Sequence, residues 1–434
     1  MPPRSGRGGT KFVFPTDISS EMRLRSANKR VLMGMLSRDE LDVLLSHCSE
    51  DSLRTFSTVS KSVFSAAKGH LYRKLCIALQ GPTPENTHAD KLGVFIKRKE
   101  LVNGYASYAK AGEAKVMLWR AGPCWIIGPT SEVGNRTAFV QLEKDSLCPE
   151  AARGTWQVAM TSKKWVAAPE LQCLAGDALV AELAKAPPQL ALDGPMLQHL
   201  NNKVKGLFVK RKYLVNGYPS YAKATESRQM LWHAGNYWTL GYVEDLGTTC
   251  GIAKLSEGCL SPGAARVAWE VYESSEKKWV EVPELRCLAG EALAAAQREA
   301  APRIALQGEV PQNFHNFKLG VFIKREDLVN GYPCYVQLGD ATKMMWHAGL
   351  WWMVGVADEL GQARGYMKLD EGCLRPEHSR GMWRVNKRDA WIEAPEVRCF
   401  AGCSDTPRRR VWDSNSGKWV GKDFWVFEDV GGSI

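Results

Sequence analysis

Short runs of apolar residues, each closed by a turn signal, make up most of the chain after residue 90. Residues 94–96 (Val-Phe-Ile) are followed by Asn103-Gly104, the dipeptide most typical of a tight β-hairpin. Residues 117–119 and 125–127 flank an Ala-Gly turn in the same manner. This spacing predicts about six short strands in about 85 residues, which indicates a small antiparallel sheet or barrel.

The same pattern occurs three times, with a period of about 113 residues. Leu-Val-Asn-Gly-Tyr stands at residues 101–105, 214–218 and 328–332, and four tryptophans follow each copy at matching distances. Four large rings compensate for the small core volume of so short a unit, so we interpret them as structural anchors. The anchors are Trp119, Trp125, Trp156 and Trp165, then Trp232, Trp238, Trp269 and Trp279, and finally Trp346, Trp352, Trp383 and Trp391.

The lengths between these landmarks separate exposed from packed segments. Within a copy the length changes only between the third and fourth tryptophan, which predicts an exposed hairpin tip there. The connecters keep one length, and their Ala-rich residues 176–186 and 290–300 predict a short helix each, ended by Pro187 or Pro302. Constant length favours connecters that pack over free linkers, and a recent duplication is the alternative explanation.

The tail repeats part of the pattern. Residues 411–420 resemble the tryptophan hairpin once more, and residues 424–427 add another strand. The tail is either a truncated fourth copy or a segment that pairs with the open edge of the third sheet and covers it, and we prefer the second interpretation.

Residues 36–75 show a helical pattern instead. Apolar residues recur at helical spacing around Ser37, which suits an N-cap: Leu36, Leu41, Leu44 and Leu45. The order of the elements resembles the F-box, in which Leu-x-x-x-Glu-Leu-x-x-x-Leu leads to Asp-x-Leu-Arg and then to Val-Ser-Lys with a closing aromatic residue. The matching positions here are Leu36, Glu40, Leu41, Leu45, Asp51, Leu53, Arg54, Val59, Ser60, Lys61 and Tyr72.

This resemblance covers a tenth of the chain, and Ser37 stands where the motif usually has proline. It implies that the linker subunit of a cullin-RING ubiquitin ligase would bind a face formed by Leu36, Leu41, Leu44, Leu45, Leu53 and Val59. An unrelated three-helix bundle is the alternative. The tryptophan repeats resemble uncharacterised tandem β-repeats of algal and other protist proteins, and no activity is carried over from them.

The composition is that of a globular protein, with 45% apolar and 24% charged residues and a net charge of +10. No stretch approaches the ~18 apolar residues of a membrane-spanning helix, and residues 1–10 lack the apolar run of a secretory signal. The twelve cysteines include no Cys-x-x-Cys pair, so we expect reduced, buried thiols in a cytoplasmic or nuclear protein. The alternative is a disulfide within each copy, joining Cys148, Cys259 or Cys373 to Cys173, Cys287 or Cys399.

Residues of catalytic type show no pattern that repeats with the copies. His233 and His347 both precede Ala-Gly, but Arg120 stands at that position in the first copy. Arginine cannot replace a metal ligand or a general base, so we expect a strand position that faces solvent. Phosphate-binding, nucleophile-elbow and zinc-protease motifs are absent. The sequence therefore predicts no enzyme, no cofactor and no metal site.

Two features point to binding. The Ala-Gly turns carry different residues within a constant frame, which suits a recognition loop as well as drift at an exposed tip: Pro123 and Cys124, Asn236 and Tyr237, Leu350 and Trp351. Basic pairs such as Lys97-Arg98 recur before each Asn-Gly turn and suit a polyanion, although a charged hairpin tip also promotes solubility.

The predicted fold class is an α+β multidomain protein, in which a small helical F-box-like module precedes three small antiparallel all-β repeats joined by short Ala-rich helices. The predicted units are a basic, disordered tail (1–30), the helical module (31–76), the repeats (77–189, 190–303 and 304–403) and the C-terminal tryptophan hairpin (404–434). The predicted function is a non-enzymatic adaptor that recruits a protein target to a ubiquitin ligase. A scaffold or carbohydrate-binding protein and a nucleic-acid binder are the alternatives.

Overall fold

The computed structural model describes residues 73–407, 411–413, 418–420 and 425–427, apart from residues 162–163, 197–199, 201, 225, 227, 314, 316–317 and 389. It contains one nine-stranded antiparallel sheet for each copy of the repeat. The strands of the first repeat are β1 (Cys76–Gln80), β2 (Gly93–Lys97), β3 (Tyr108–Lys110), β4 (Val116–Ala121), β5 (Cys124–Pro129), β6 (Val140–Glu143), β7 (Trp156–Ala159), β8 (Trp165–Ala168) and β9 (Gln172–Ala175).

The other two repeats follow the same order, and one helix precedes each of them. Helix α1 is Gly176–Ala184 and helix α2 is Glu291–Arg298. The second repeat has β10 (Gln189–Asp193), β11 (Gly206–Lys210), β12 (Tyr221–Lys223), β13 (Gln229–Ala234), β14 (Tyr237–Tyr242), β15 (Ala253–Leu255), β16 (Trp269–Glu273), β17 (Lys278–Val282) and β18 (Arg286–Ala289). The third has β19 (Arg303–Gln307), β20 (Gly320–Val329), β21 (Tyr332–Gln337), β22 (Asp340–Ala348), β23 (Trp351–Val356), β24 (Met367–Leu369), β25 (Trp383–Lys387), β26 (Ala390–Ala394) and β27 (Arg398–Ala401).

Each sheet is an eight-stranded meander whose ninth strand returns to pair with the first. In the first repeat the order is β8-β7-β6-β5-β4-β3-β2-β1-β9, and Leu79 of β1 lies opposite Cys173 of β9. The two edge strands, β8 and β9, are joined by a tight turn in which Leu171 N–H donates to Ala168 O at 3.1 Å. A sheet whose edges are joined so closely must curl, so its inner face encloses a core. The expected number of about six strands was too low, because β1, β6 and β9 were not predicted.

The Asn-Gly turn does more than reverse the chain. Asn103 and Gly104 have φ values of 52° and 81°, the left-handed pair of a type I′ turn. The Asn103 side chain donates from Nδ2 to Arg120 O at 2.9 Å and to Gly134 O at 3.1 Å. The same two bonds recur at Asn216 and Asn330. The asparagine therefore ties the hairpin to the neighbouring strand and loop in every repeat.

The strands that carry the first two tryptophans are packed on both faces. Trp125 belongs to the inner core of the first repeat, whereas Trp119 packs in a second cluster on the outer face. Gly128 makes room for the outer ring, because a Cβ atom at this position would lie 2.6 Å from Trp119 Cη2. Gly241 and Gly355 stand in the same relation to their tryptophans. The recurring glycine is therefore required by close packing.

The three repeats form one continuous stack. Cys76, Ala78 and Val94 of the first repeat share a core with residues of the second, and Leu207 of the second shares one with the third. Helix α1 contributes Leu179 and Leu183 to the first shared core, and helix α2 contributes Leu293 and Ala296 to the second. The connecters keep their length because they are part of these cores.

Each interface joins the back of one repeat to the front of the next. The Asn-Gly-Tyr tyrosine of the later repeat inserts its hydroxyl group, so that Val94 N–H donates to Tyr218 Oη and Leu207 N–H donates to Tyr332 Oη, both at 2.7 Å. On the same front face His233 stacks on Tyr218, with ring centroids 3.9 Å apart, and His347 stacks on Tyr332 at 3.8 Å.

The first repeat carries different residues at the front-face positions. Arg120 lies over the Tyr105 ring at 4.0 Å and forms an ion pair with Asp145, which is 82% exposed. The sequence alignment places Arg120 at the position of His233, and Asp145 at the position of Gly258. A charged pair with an exposed carboxylate therefore stands at the front of the first repeat, where the later repeats have a buried histidine and a glycine.

Gly258 allows the closest approach between the first two repeats. Its N–H donates to Ala89 O at 3.0 Å, and a Cβ atom there would overlap with the backbone carbonyl of Leu92. We expect Gly258→Ala to lower the free energy of unfolding by about 1–3 kcal/mol, as overpacking does. Urea denaturation followed by circular dichroism measures this change. The control is Glu281→Ala at an exposed position on β17, for which we expect less than about 0.5 kcal/mol; equal effects would contradict the interface.

The tail strands pair with one another. Strand β28 (Cys403–Pro407) pairs with β31 (Trp425–Phe427), and β29 (Val411–Asp413) pairs with β30 (Lys418–Val420). The expected hairpin at residues 411–420 is therefore present, but the preferred interpretation, that the tail pairs with the edge of the third sheet, is wrong for the described strands. The described chain is mostly β-structure, and the expected helical module lies outside it, except for its last residues.

Candidate functional site

The hairpin tips singled out in the sequence fall into two groups. Tyr237 opens β14 and Trp351 opens β23, and both side chains are partly exposed. Asn236 instead belongs to the interface, where its Oδ1 accepts a hydrogen bond from Lys110 Nζ at 2.9 Å. In the first repeat Cys124 is buried beside the exposed Pro123. In the third repeat Leu350, which precedes Trp351, is partly exposed. The tips therefore offer aromatic side chains in the second and third repeats.

A lysine lies beside each of these two aromatic tips. Lys254 Nζ is 5.1 Å from the centroid of the Tyr237 ring and 4.4 Å from that of the Trp279 ring. In the third repeat Lys368 Nζ is 4.6 Å from the Trp351 ring and 4.4 Å from the Trp391 ring. Each ammonium group therefore makes cation–π contacts with two rings. We call these six residues the aromatic–lysine surface.

Strand register creates this arrangement. Lys254 sits in β15 between the buried Ala253 and Leu255, so alternation directs its side chain to the outer face. Tyr237 lies on the neighbouring strand β14, and Trp279 lies on β17, two strands away on the other side, and both reach the same face. Glu270 of β16 completes the group with an ion pair to Lys254 at 3.2 Å. The lysines could have been found from the sequence, because they stand between alternating apolar residues at matching positions in two copies.

The first repeat lacks this surface. Gln141 takes the place of the lysine and donates from Nε2 to Gln157 Oε1 at 3.0 Å. Cys124 takes the place of the aromatic tip, and Trp165 is partly exposed. Among the residues that the structure describes, no lysine of the sheet stands over its ring as Lys254 and Lys368 do over theirs. The difference makes Trp165 a matched reference for experiments on the other two repeats.

The twelve tryptophans predicted as anchors differ in burial. The first three of each repeat are at most 3% exposed, and the first two donate their indole N–H groups to backbone carbonyls, as in Trp232 to Thr248 O at 2.8 Å. The fourth is partly exposed in every repeat, at Trp165, Trp279 and Trp391. Only the fourth tryptophan can therefore contact a ligand without rearrangement of the core.

The lysine of the aromatic–lysine surface in the third repeat is partly desolvated. Burial lowers the pKa of Lys368 from its ordinary value, and nearby Asp370 acts in the opposite direction. A lysine in such surroundings has lost part of its water, so an added anionic or aromatic group would interact with it more strongly than with a fully hydrated lysine.

The basic pairs before the Asn-Gly turns have structural contacts. Lys324 Nζ donates to three carbonyls at the end of α2, and Lys210 Nζ donates to Ala186 O at 3.0 Å after α1. Both lysines complement the negative ends of helix dipoles. Arg98 pairs with Glu100 at 3.0 Å. These partners reduce the positive charge that the pairs present to a polyanion.

The two histidines are buried, so the expectation of a solvent-facing position was wrong. His233 and His347 are both 0% exposed, because the front face of each later repeat is covered by the repeat before it. Burial lowers the pKa of His347 to about 3, and Lys223 of the second repeat adds to this effect. Within the described residues, no group of three or more His, Cys, Asp or Glu side chains is arranged to hold a metal ion.

A cleft of about 590 Å³ opens between the first and second repeats. Its lining includes an apolar residue of the first repeat, three carboxylates and two small residues of the second repeat: Leu92, Glu170, Glu182, Glu257, Ser261 and Gly263. Cys259 also lines it as a free thiol, and the ten cysteines whose side chains the structure describes are all free. Within the described residues, no helix is long and apolar enough to cross a membrane.

Comparisons with known proteins give no counterpart: no protein-family model, no curated protein and no solved structure matches the chain.

Proposed function

We propose that the chain is a non-enzymatic adaptor that holds a protein target on its stacked β-repeats. The observation that carries this proposal is the double occurrence of a partly exposed aromatic pair around one lysine, at Lys254 and at Lys368. Aromatic side chains dominate the energetics of protein interfaces. Because the two sites belong to one stack, a target that contacts both gains affinity from the second contact without added ordering of the adaptor.

The ligase side of the proposal rests on the sequence pattern of residues 36–75 alone. In this proposal the F-box-like face binds the linker subunit of a cullin-RING ligase and the repeats position the target. Co-purification of the linker subunit from a lysate tests it, with Leu41→Asp and Leu45→Asp combined as the disrupting variant. We expect the linker subunit with the wild-type chain and none with the variant. No linker subunit in a lysate where known F-box proteins capture it would contradict the ligase role.

Trp279→Ala and Trp391→Ala combined test the target-binding surface. We expect capture of the target from a lysate, measured by quantitative mass spectrometry, to fall at least about tenfold, since truncated interface tryptophans often cost 2 kcal/mol or more. Trp165→Ala is the matched control, because it removes a partly exposed tryptophan from a repeat in which Gln141 stands in place of the strand lysine. Equal loss with the control, or no loss with the double variant, would contradict the assignment of this surface.

The partly exposed tryptophans also favour a second candidate, a carbohydrate-binding scaffold without a ligase role. Sugars stack on exposed aromatic rings, so glycans that shift the tryptophan fluorescence, in a chain that captures no ligase subunit, would support this candidate. Steep salt dependence of target binding would instead support the polyanion binder.

A further inference from the structure

The same positions of the repeat form both interfaces of the stack, but different residues occupy them. At the second interface Arg375 Nη1 lies 3.8 Å from Oε2 of Glu299, the residue that caps the C-terminus of α2. Beside it, Glu377 Oε1 accepts a hydrogen bond from Ala301 N–H at 3.0 Å. These two long side chains occupy the space between the second and third repeats.

Small residues stand at the matching positions of the first interface. Ser261 replaces Arg375 and Gly263 replaces Glu377, while Lys185 and Pro187 replace their partners Glu299 and Ala301. Proline has no N–H, so a carboxylate at residue 263 would have nothing to bind there. The result is the open cleft, in which Cys259 is partly exposed, whereas the matching Cys373 is buried.

A second cation is also missing from the first interface. At the second interface Lys205 Nζ lies 2.7 Å from Glu371 Oε1, and both side chains are almost completely buried. Glu257 matches Glu371 and is 9% exposed, but Leu92 takes the place of the lysine. Glu257 Oε2 accepts a hydrogen bond from Arg266 N–H at 2.7 Å. Among the described residues, no cationic side chain forms an ion pair with Glu257.

We propose that the cleft between the first and second repeats binds an arginine side chain of an extended peptide segment. The second interface shows that this site accepts a guanidinium group and an ammonium group from the chain itself, at Arg375 and Lys205. The first interface keeps the carboxylate at Glu257, but the positions that match Arg375 and Lys205 hold no cation. Glu170 and Glu182 also line the cleft, and Glu182 pairs with Lys185 at 2.7 Å. A buried carboxylate gains most from a partner that both neutralises it and donates hydrogen bonds, as guanidinium does.

The volume and the rim define the rest of the ligand. About 590 Å³ exceeds one side chain, so the neighbouring backbone of the peptide also enters the cleft. Lys185 and Arg266 lie at the rim and are exposed, which places positive charge outside the carboxylate. This inference does not depend on the proposed function, because none of these residues belongs to the aromatic–lysine surface.

The test is fluorescence polarisation of a labelled Gly-Ser-Gly-Arg-Gly-Ser peptide with the full chain at fixed, low salt. Peptides with citrulline or glutamate in place of arginine are the comparison probes, since citrulline keeps the shape and loses the charge. We expect the arginine peptide to bind at least about tenfold more tightly than either, in line with hydrogen bonds to charged groups. Equal binding of arginine and citrulline, tighter binding of glutamate, or no binding would overturn the proposal.

Two variants assign the binding to this cleft. Glu257→Gln removes the carboxylate, and Leu92→Lys supplies the internal cation of the second interface; we expect each to reduce the arginine preference to less than about twofold. Glu281→Gln, at an exposed position on β17, is the matched control and should leave the preference unchanged. Circular dichroism confirms that each variant is folded. An arginine preference that survives Glu257→Gln in a folded protein would overturn the assignment.

Discussion

Trp238→Ala should lower the free energy of unfolding by about 3–5 kcal/mol, the range observed for truncation of buried aromatic residues. Trp238 is 0% exposed and lies in the core shared by the first two repeats. Its indole N–H donates to Cys259 O at 3.0 Å, and its ring makes edge contacts with Tyr218 and His233. Alanine leaves a cavity and an unpaired carbonyl at the same place.

Urea unfolding of the full chain, followed by circular dichroism, measures this effect. The matched control is Trp279→Ala in the same repeat, where the ring is partly exposed and donates no core hydrogen bond in the described structure. We expect the control to cost less than about 1.5 kcal/mol, because less apolar area leaves water there on folding. A cost for Trp238→Ala no larger than for Trp279→Ala would show that the shared core is not tightly packed.

Acid should destabilise the stack well before the carboxylates titrate. Burial lowers the pKa of His347 to about 3 and that of His233 well below its ordinary value of 6.5. Between pH 6.5 and the lowered pKa of each histidine, the unfolded chain binds a proton at that histidine and the folded chain does not. Stability is therefore lost as the pH falls through this range. From about pH 7 to about pH 5 the loss is about 2 kcal/mol for His347, and His233 changes stability in the same direction.

The measurement is the free energy of unfolding in urea at both pH values. The combined variant His233→Gln and His347→Gln removes both titrating groups, so its stability should change little over this range. The two proteins are compared by how much their free energy of unfolding changes with pH, because glutamine also alters the stability at any single pH. A wild-type slope that persists in the glutamine variant would mean that other groups cause the acid sensitivity.

Local sequence signals predicted the parts of the fold whose contacts are local. Asn103-Gly104 predicted a hairpin because few residues other than Asn and Gly adopt the left-handed conformation of a type I′ turn easily. The Ala-rich helices were predicted for a similar reason, by composition and a closing proline. Strands β1 and β9 were missed because Leu79 and Cys173 stand at opposite ends of the repeat, and no local pattern marks their pairing.

Comparison of the three copies predicted the packed interior correctly but gave a wrong prediction for residues at the surface of a repeat. The tryptophans and glycines recur because every repeat has the same interior. Arg120 suggested a solvated site for His233, yet these equivalent positions have different surroundings, since only the later repeat has another β-repeat in front of it. Lys254 and Lys368 were missed because the first copy has Gln141 there, and the cleft depends on residues that differ between interfaces.

An interface that joins the back of one unit to the front of the next has no end of its own, and such contacts can continue into filaments. In this chain the first repeat supplies the end. A further unit placed before it would have to strip water from Asp145, which is exposed and paired with Arg120. The later repeats have a histidine and a glycine at these two positions, so the same contact removes no water from a charged pair there. A copy of the repeat added by gene duplication would therefore fit after the first repeat but not before it. The first repeat caps the start of the array.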